Sequence, residues 1–111
     1  MTVDFELDGL PFTALNGGPV FLINEAISLR ICCDRQEEVD CCWERLTEGG
    51  DDAAQQWGWL KDKFGVSWQV VPTLFLEMMN EPHSERTERV AEVVLAMKKP
   101  ILEDLRRAYQ D

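Results

Sequence analysis

Polar side chains that could bind a small molecule alternate with apolar ones in two segments of this 111-residue chain. Ser28 and Arg30 occupy alternate positions in the first segment, and Ser67 and Gln69 do so in the second. Arg30 could pair with an anionic or carbonyl group, while the amide and hydroxyl groups add hydrogen bonds and Trp59 supplies an apolar wall. The pattern predicts a ligand-binding face. The alternatives are a merely solvated sheet face and, for Trp59, a place in the core.

The residue types that bind metals most strongly give a weak signal. The four cysteines form two adjacent pairs, Cys32-Cys33 and Cys41-Cys42, whereas zinc sites usually separate their thiolates by two to four residues. We therefore expect reduced thiols that pack as small apolar groups, with a zinc or redox role as the alternative. His83, the only histidine, lies in a segment typical of a loop before a helix. No nucleophile with an adjacent base and no glycine-rich phosphate loop can be named.

Strands must position these side chains. Residues 3–7 alternate between apolar and acidic, Asp8-Gly9 is a strong type I′ turn signal, and residues 12–15 can return antiparallel, which predicts a hairpin. A second strand block begins at Ile27, and its apolar residues Ile27, Leu29 and Ile31 should pack against a helix while Ser28 and Arg30 face away.

A second hairpin is predicted further along the chain. Residues 57–61 favour a strand, 62–65 a tight turn, and 66–71 an antiparallel partner that ends at Pro72. By the same alternation Trp68 and Val70 belong to the core, on the side opposite Ser67 and Gln69.

One predicted helix lies among these strands, and the other predicted helices follow them. Asp34 and Glu37 suit a capping box, and the following helix should end at Gly49-Gly50. Its apolar stripe consists of Val39, Cys42, Trp43 and Leu46. The tail predicts two further helices, one with a stripe at Val90, Val93, Val94 and Met97 and one after Pro100 with Leu102, Leu105 and Tyr109. Together these elements indicate the α+β class, with a mainly antiparallel sheet.

Several strings of the sequence, taken in order, resemble the PhnB-type branch of the vicinal oxygen chelate, or glyoxalase-like, superfamily, whose members are often labelled demethylubiquinone methyltransferase-like. The helix from Glu38-Val39-Asp40 to Trp43 belongs to this pattern. The other strings are Phe5-Glu6-Leu7-Asp8-Gly9, Ala14-Leu15-Asn16-Gly17-Gly18, Gly58-Trp59-Leu60-Lys61-Asp62-Lys63-Phe64-Gly65 and Ser67-Trp68-Gln69-Val70-Val71-Pro72. The resemblance covers nearly the whole chain, residues 1–111, which we expect to form a single glyoxalase-like domain.

The resemblance also implies how a binding site would be completed. Members of that branch usually carry a strand, a helix and a strand before the point where this sequence starts, so we expect the first module to be incomplete. Two βαβββ modules of this superfamily face each other around a ligand. An unfinished cup and an open sheet edge predict a homodimer in which a second copy closes both.

The same resemblance bears on metals. Superfamily enzymes hold a divalent ion with His, Glu or Gln at fixed strand positions, and the corresponding positions here fall on Ser28 and Gln69. A serine and a neutral amide are poor ligands for a divalent cation, so we expect no metal and no other cofactor. A methyl transfer from S-adenosylmethionine would need a doubly wound sheet with a glycine-rich first turn, which the sequence does not indicate.

The overall charge limits the possible partners. Acidic residues outnumber basic ones by 21 to 11, which gives a formal charge of −10 and a pI near 4.5. Nucleic acid and anionic membranes should be repelled, and neither a transmembrane segment nor a secretory signal is evident, so we expect a cytoplasmic protein.

The function predicted from these features is metal-free binding of a small molecule in a cup completed by dimerisation. Two alternatives stay open. One is a metal-dependent vicinal oxygen chelate enzyme of the lyase, isomerase or dioxygenase type that recruits its metal through other residues, for example Glu77. The other is a structural or regulatory module that docks another protein. The sequence does not decide whether the protein is an enzyme.

Overall fold

The chain begins with a β-hairpin that forms a separate two-stranded sheet. In the computed structural model, which describes residues 1–110, β1 (Thr2–Leu7) pairs antiparallel with β2 (Leu10–Leu15). Asp8-Gly9 has φ angles of 51° and 81°, the positive values of a type I′ turn, so the predicted hairpin is confirmed. Phe5 and Phe12 stack with 5.5 Å between ring centroids. Phe12 is half-buried and the remaining residues of the two strands, including Phe5, are exposed, because no further layer covers them.

A three-stranded sheet forms the centre of the remaining structure. Its strands are β3 (Ser28–Cys33), β4 (Trp59–Lys61) and β5 (Ser67–Pro72), in the order β3-β5-β4. β3 runs parallel to β5, and β4 runs antiparallel to it. Two of the three strand pairings along the chain are therefore antiparallel. With the helices that follow, they confirm the α+β class.

One face of this sheet packs against α1 (Gln36–Thr47). Val39 and Trp43 on the helix are buried against Leu60 and Val70 of the sheet, and the partly buried Cys42 and Leu46 complete the predicted apolar stripe. Ile31 and Trp68 contribute to the same cluster, as the strand alternation predicts. Ile27 precedes β3 and is 78% exposed, so its predicted place against the helix is wrong. The helix ends at Thr47, and Gly49 follows with φ 74°.

The predicted cap of α1 is wrong. Arg35, not Asp34, is the N-cap residue, and no side chain caps the helix, so Glu37 has no reciprocal role there. The Asp34 carboxylate instead accepts a hydrogen bond from the Thr73 hydroxyl at 2.8 Å. A partner almost forty residues away thus competes successfully with the local backbone donors that a capping box would use.

The turn between β4 and β5 is confirmed, but β4 is shorter than predicted. Asp62 Oδ1 accepts hydrogen bonds from the backbone N–H groups of Phe64 and Val66, at 2.9 and 3.0 Å. The predicted strand over residues 57–61 begins only at Trp59. Trp57 and Gly58 have φ angles of 56° and 81°, which are incompatible with an extended strand.

Three helices follow the sheet. α3 (Glu85–Leu95) and α4 (Leu102–Gln110) agree with the two predicted tail helices, while α2 (Thr73–Met79) lies where no helix was predicted. A short 3₁₀ helix at Asp52–Ala54 precedes β4. The helices enclose a second apolar cluster built on Met78, Val90, Leu105 and Ala108. Across residues 1–110, no helix has the length and apolar composition needed to cross a membrane.

Candidate functional site

The register of the sheet brings the five predicted binding residues to one face. Ser28 lies opposite Ser67, and Arg30 lies opposite Gln69, across the parallel pairing of β3 and β5. Trp59 lies opposite Gln69 from the other side, across the antiparallel pairing with β4. Residues paired in register point to the same side of a sheet. All five side chains therefore share the face that α1 does not cover.

Two of these residues are joined directly. The Gln69 side-chain amide donates a hydrogen bond from Nε2 to the Ser28 hydroxyl oxygen, at 2.7 Å. This bond fixes the orientation of the Gln69 amide, so that Oε1 is the atom left to accept a bond. Within residues 1–110 no protein donor bonds to that oxygen. Gln69 thus presents an oriented acceptor, and Ser28 presents a hydroxyl proton.

Arg30 has an exposed guanidinium without a carboxylate partner. Ion pairs within the described residues involve Arg35, Arg86, Arg107, Lys61 and Lys99, but not Arg30. A guanidinium that keeps its donors free beside an oriented amide is suited to bind a planar anionic or carbonyl group.

A cavity of about 250 Å³ opens beside Arg30, Trp59 and Gln69. Its remaining walls are mostly apolar and come from the end of β5 and from the C-terminal helices. Those walls include Val71, Pro72, Phe75, Leu76, Val94, Leu95, Met97, Pro100 and Leu105. A mostly apolar space with a few polar groups at its border has the composition of a small-molecule site, although its volume is slightly below the usual range.

Ser28 and Ser67 do not line this cavity. Ser67 is buried and instead borders a second depression, of about 320 Å³, together with Glu25, Asp51 and Lys61. Lys61 Nζ lies 3.3 Å from the Glu25 carboxylate there. Trp59 lines both spaces and separates them. The structure therefore divides the predicted residues, with Arg30, Trp59 and Gln69 at the first cavity and Ser28 acting on it through Gln69.

The segment at Trp57 and Gly58 holds the helices against the sheet, a role not evident from the sequence. The Trp57 indole N–H donates to the Leu95 carbonyl at 2.7 Å, and its backbone N–H donates to the Met97 carbonyl at 2.9 Å. The backbone N–H of Val70 donates to the Gly58 carbonyl at 2.8 Å. A wall of the cavity is thereby tied to the central strand. The one sequence feature that could have pointed to this segment is the glycine between two tryptophans, Trp57-Gly58-Trp59.

The residues at the site do not fit a divalent metal. Ser28 and Gln69 are bonded to each other and offer only a hydroxyl and a neutral amide, which are weak ligands for such ions. In the described part of the chain no three His, Cys, Asp or Glu side chains lie close enough together to hold a metal. His83 lies beside α3, where its Nε2 is 2.8 Å from the Glu88 carboxylate.

Two of the four cysteines, Cys33 and Cys42, pack in the core as the sequence predicts, and the other two do not. All four thiols are free, and Cys33 is fully buried in the cluster under α1. Burial, followed by the neighbouring Cys42 thiol, raises the pKa of Cys33 to about 12. A thiol that stays protonated at neutral pH is a poor nucleophile and a poor metal ligand. Cys32 and Cys41 are exposed on different elements.

Comparisons with known proteins agree with the resemblance found in the sequence. A family model described as 3-demethylubiquinone-9 3-methyltransferase matches residues 1–71. Among solved structures, the chain is similar to a putative 3-demethylubiquinone-9 3-methyltransferase, PhnB protein, from Bacillus cereus. The identity is 29% and the TM-score 0.56, over 65% of this chain and 64% of that chain. The chain thus spans less than two thirds of that protein's length. No curated protein matches it.

The family model matches only part of the candidate site. It includes the whole of β1 to β4 and most of β5, and hence Arg30, Trp59 and Gln69. The helices α2, α3 and α4, which supply most of the apolar cavity wall, lie outside it. The PhnB-like assignment is confirmed, and with it the glyoxalase-like relationship of the fold.

Proposed function

This chain belongs to the 3-demethylubiquinone-9 3-methyltransferase family of PhnB-like proteins, and we propose that it is a cytoplasmic, metal-free protein that binds a small molecule. The observation that carries the proposal is the unpaired guanidinium of Arg30 beside the oriented amide of Gln69, at the border of an apolar cavity. Four free thiols fit a reducing compartment.

The family description names a methyl transfer, but the site favours binding over that reaction. A site for S-adenosylmethionine is normally built on a doubly wound parallel sheet with a glycine-rich first turn. The sheet here has three strands with one parallel pairing, and α1 covers a single face of it. Arg30, Gln69 and Ser28 could hydrogen-bond to a substrate, but none of them is a general base that could take the proton of an attacking hydroxyl group.

Binding at Arg30 can be tested by thermal shift with small organic anions and quinone-like compounds. A ligand at one hundred times its Kd stabilises the folded state by about 2.7 kcal/mol, which is a shift of several degrees for a domain of this size. We expect Arg30→Gln to abolish the shift and Arg45→Gln, on the opposite side of the sheet, to preserve it. Shifts that persist in Arg30→Gln, or that vanish after treatment with a chelator, would contradict metal-free binding at this face.

We further propose that the protein works as a homodimer. The hairpin leaves Val3, Phe5 and Leu7 exposed, and the linker that follows it exposes Phe21 and Leu22 by 91% and 86%. β3 also has an unpaired edge, since the strand order is β3-β5-β4. Apolar strands and free edges of this kind favour association, and an isologous dimer would cover the same patch on both copies.

The charge of −10 per chain opposes this association only over a short range. The Debye length at physiological salt is about 8 Å, so the burial of several large apolar side chains should outweigh the repulsion. We expect a dimer in sedimentation equilibrium at micromolar concentration. Val3→Asp should produce monomers, whereas Thr2→Asp, which adds the same charge to the other face of β1, should not. A wild-type monomer with native stability would refute the proposal.

A further inference from the structure

The cavity beside Arg30 is polar at one border and apolar elsewhere. Of the side chains that line it, those with strong hydrogen-bonding groups are Arg30, Gln69, Trp57 and Trp59. The Trp57 indole N–H is already occupied by the Leu95 carbonyl. Arg30 and Gln69 both project from the open face of the sheet, while α2, the end of α3 and α4 supply hydrocarbon walls. Such a space suits a molecule with one polar end.

We infer that the ligand of this site is a short aliphatic monocarboxylate whose tail lies between the sheet and the C-terminal helices. The inference rests on the proposed function and adds the chemical class of the ligand and its orientation in the cavity. The carboxylate would pair with the Arg30 guanidinium and the tail would contact Phe75, Val94 and Leu105.

The charge and volume of the site set the size of this ligand. Among residues 1–110, Arg30 is the one cation that lines the cavity, so it matches one negative charge. The net charge of −10 disfavours an anion of higher charge. A cavity of about 250 Å³ is smaller than most small-molecule sites, so the ligand should be short. Hexanoate, with its six carbons and two oxygens, is a suitable test ligand.

The walls are fixed before the ligand arrives. The backbone N–H groups of Trp57 and Gly58 donate to the Met97 and Lys98 carbonyls, each at 2.9 Å. The Trp57 indole N–H donates to the Leu95 carbonyl at the end of α3 at 2.7 Å, and the Val70 N–H donates to the Gly58 carbonyl at 2.8 Å. A preformed apolar wall gains the full benefit of burying a tail, because little ordering is lost on binding. Each buried CH₂ should then tighten binding about fourfold, from roughly 0.8 kcal/mol per group.

Calorimetric titration with butanoate, hexanoate and decanoate tests the inference. We expect hexanoate to bind about sixteen times more tightly than butanoate, and decanoate to gain little more because the cavity is full. Hexanedioate should bind at least tenfold more weakly than hexanoate, since its second charge would enter the apolar end. Hexanol should bind at least tenfold more weakly because it lacks the charge.

Two variants locate the head and the tail. Arg30→Gln should remove the difference between hexanoate and hexanol, and Arg45→Gln should keep it. Val94→Phe, which fills part of the cavity, should remove the gain from butanoate to hexanoate while butanoate binds as before. If that variant does not fold, the affinities of the wild type for the three carboxylates test the position of the tail on their own.

The results separate the two proposals. If carboxylate binding depends on Arg30 but the affinity is the same at every chain length, the inferred position of the tail is wrong and the proposed function stands. Affinity that is unchanged in Arg30→Gln would overturn the head position. No binding of any carboxylate would overturn this inference, whereas Arg30-dependent shifts with other anions would still support the proposed function.

Discussion

The close approach of Gly58 to β5 makes a sharp prediction about stability. Gly58 has φ 81°, and a Cβ at this position would lie 2.6 Å from the Val70 carbonyl oxygen. Val70 belongs to the central strand and its N–H is bonded to the Gly58 carbonyl, so neither backbone can move away freely. Gly58→Ala should therefore cost the energy of a left-handed alanine and the energy of a backbone clash.

Gly65 provides a matched control for this substitution. Its φ is 86°, but a Cβ there would meet nothing within 4 Å. The left-handed conformation costs an alanine about 1 to 2 kcal/mol at either position. Overpacking adds about 1 to 3 kcal/mol at Gly58 alone. We expect Gly58→Ala to lower the free energy of unfolding by about 2 to 5 kcal/mol and Gly65→Ala by about 1 to 2 kcal/mol.

Urea unfolding followed by tryptophan fluorescence and far-ultraviolet circular dichroism measures both losses. The comparison requires equal m-values, which show that the substitutions leave the unfolded state alike. Equal losses of stability in the two variants would refute the reasoning, because they would mean that residue 58 does not approach the Val70 carbonyl in solution.

Three further predictions concern the core, the thiols and metal content. Trp43→Ala should lower the free energy of unfolding by about 3 to 5 kcal/mol because Trp43 is buried under α1, whereas the exposed Glu44→Ala should change it by less than about 0.5 kcal/mol. The raised pKa of Cys33 means that the unfolded thiol ionises first as the pH rises above about 8.5, so stability is lost from there towards pH 12. The free energy of unfolding of Cys33→Ala, measured by denaturation at several pH values, should lack this loss. Elemental analysis of purified protein should find no stoichiometric divalent metal, and about one zinc, nickel or manganese per chain that is lost in Gln69→Ala would contradict the assignment of the site.

Local signals were sufficient where one short segment determines its own conformation. Asp8-Gly9 requires positive φ at both positions, and the structure has both. The Asp62 carboxylate bonds to backbone N–H groups two and four residues later, so the turn is encoded within five residues. Strand alternation likewise placed Trp68 and Val70 under α1 and Arg30 and Gln69 on the open face.

Features that depend on distant partners were not predictable in this way. Asp34 looked like a helix cap, but its carboxylate bonds to Thr73, which parallel pairing of β3 and β5 brings alongside. Trp57 looked like a strand residue, yet its positive φ is held by bonds to Leu95 and Met97. The helix α2 has seven residues, which is too short for a helical period to stand out.

The cavity belongs to this second group. Its polar border comes from β3 and β5, and its apolar walls come from helices that begin after residue 72. Each apolar residue taken alone indicated only a buried stripe, such as Val94 in α3 or Leu105 in α4. The space between them arises because Trp57 and Gly58 hold the end of α3 beside the sheet without closing the gap.

The hairpin should respond to contact with another surface, whereas the central sheet and the C-terminal helices should respond together to a ligand in the cavity. The sheet and the C-terminal helices are joined by Trp57, Gly58 and the Gln36 side chain, which accepts a hydrogen bond from the Leu102 N–H at 2.7 Å. A ligand in the cavity touches both sides of that junction, so its binding energy should stabilise them together. Within residues 1–110 the hairpin shares no such bonds with the sheet, and its exposed apolar residues gain cover only from another surface. Val3→Asp should therefore affect the proposed dimer without removing the Arg30 guanidinium, whereas Arg30→Gln should affect the proposed ligand binding without changing the hairpin.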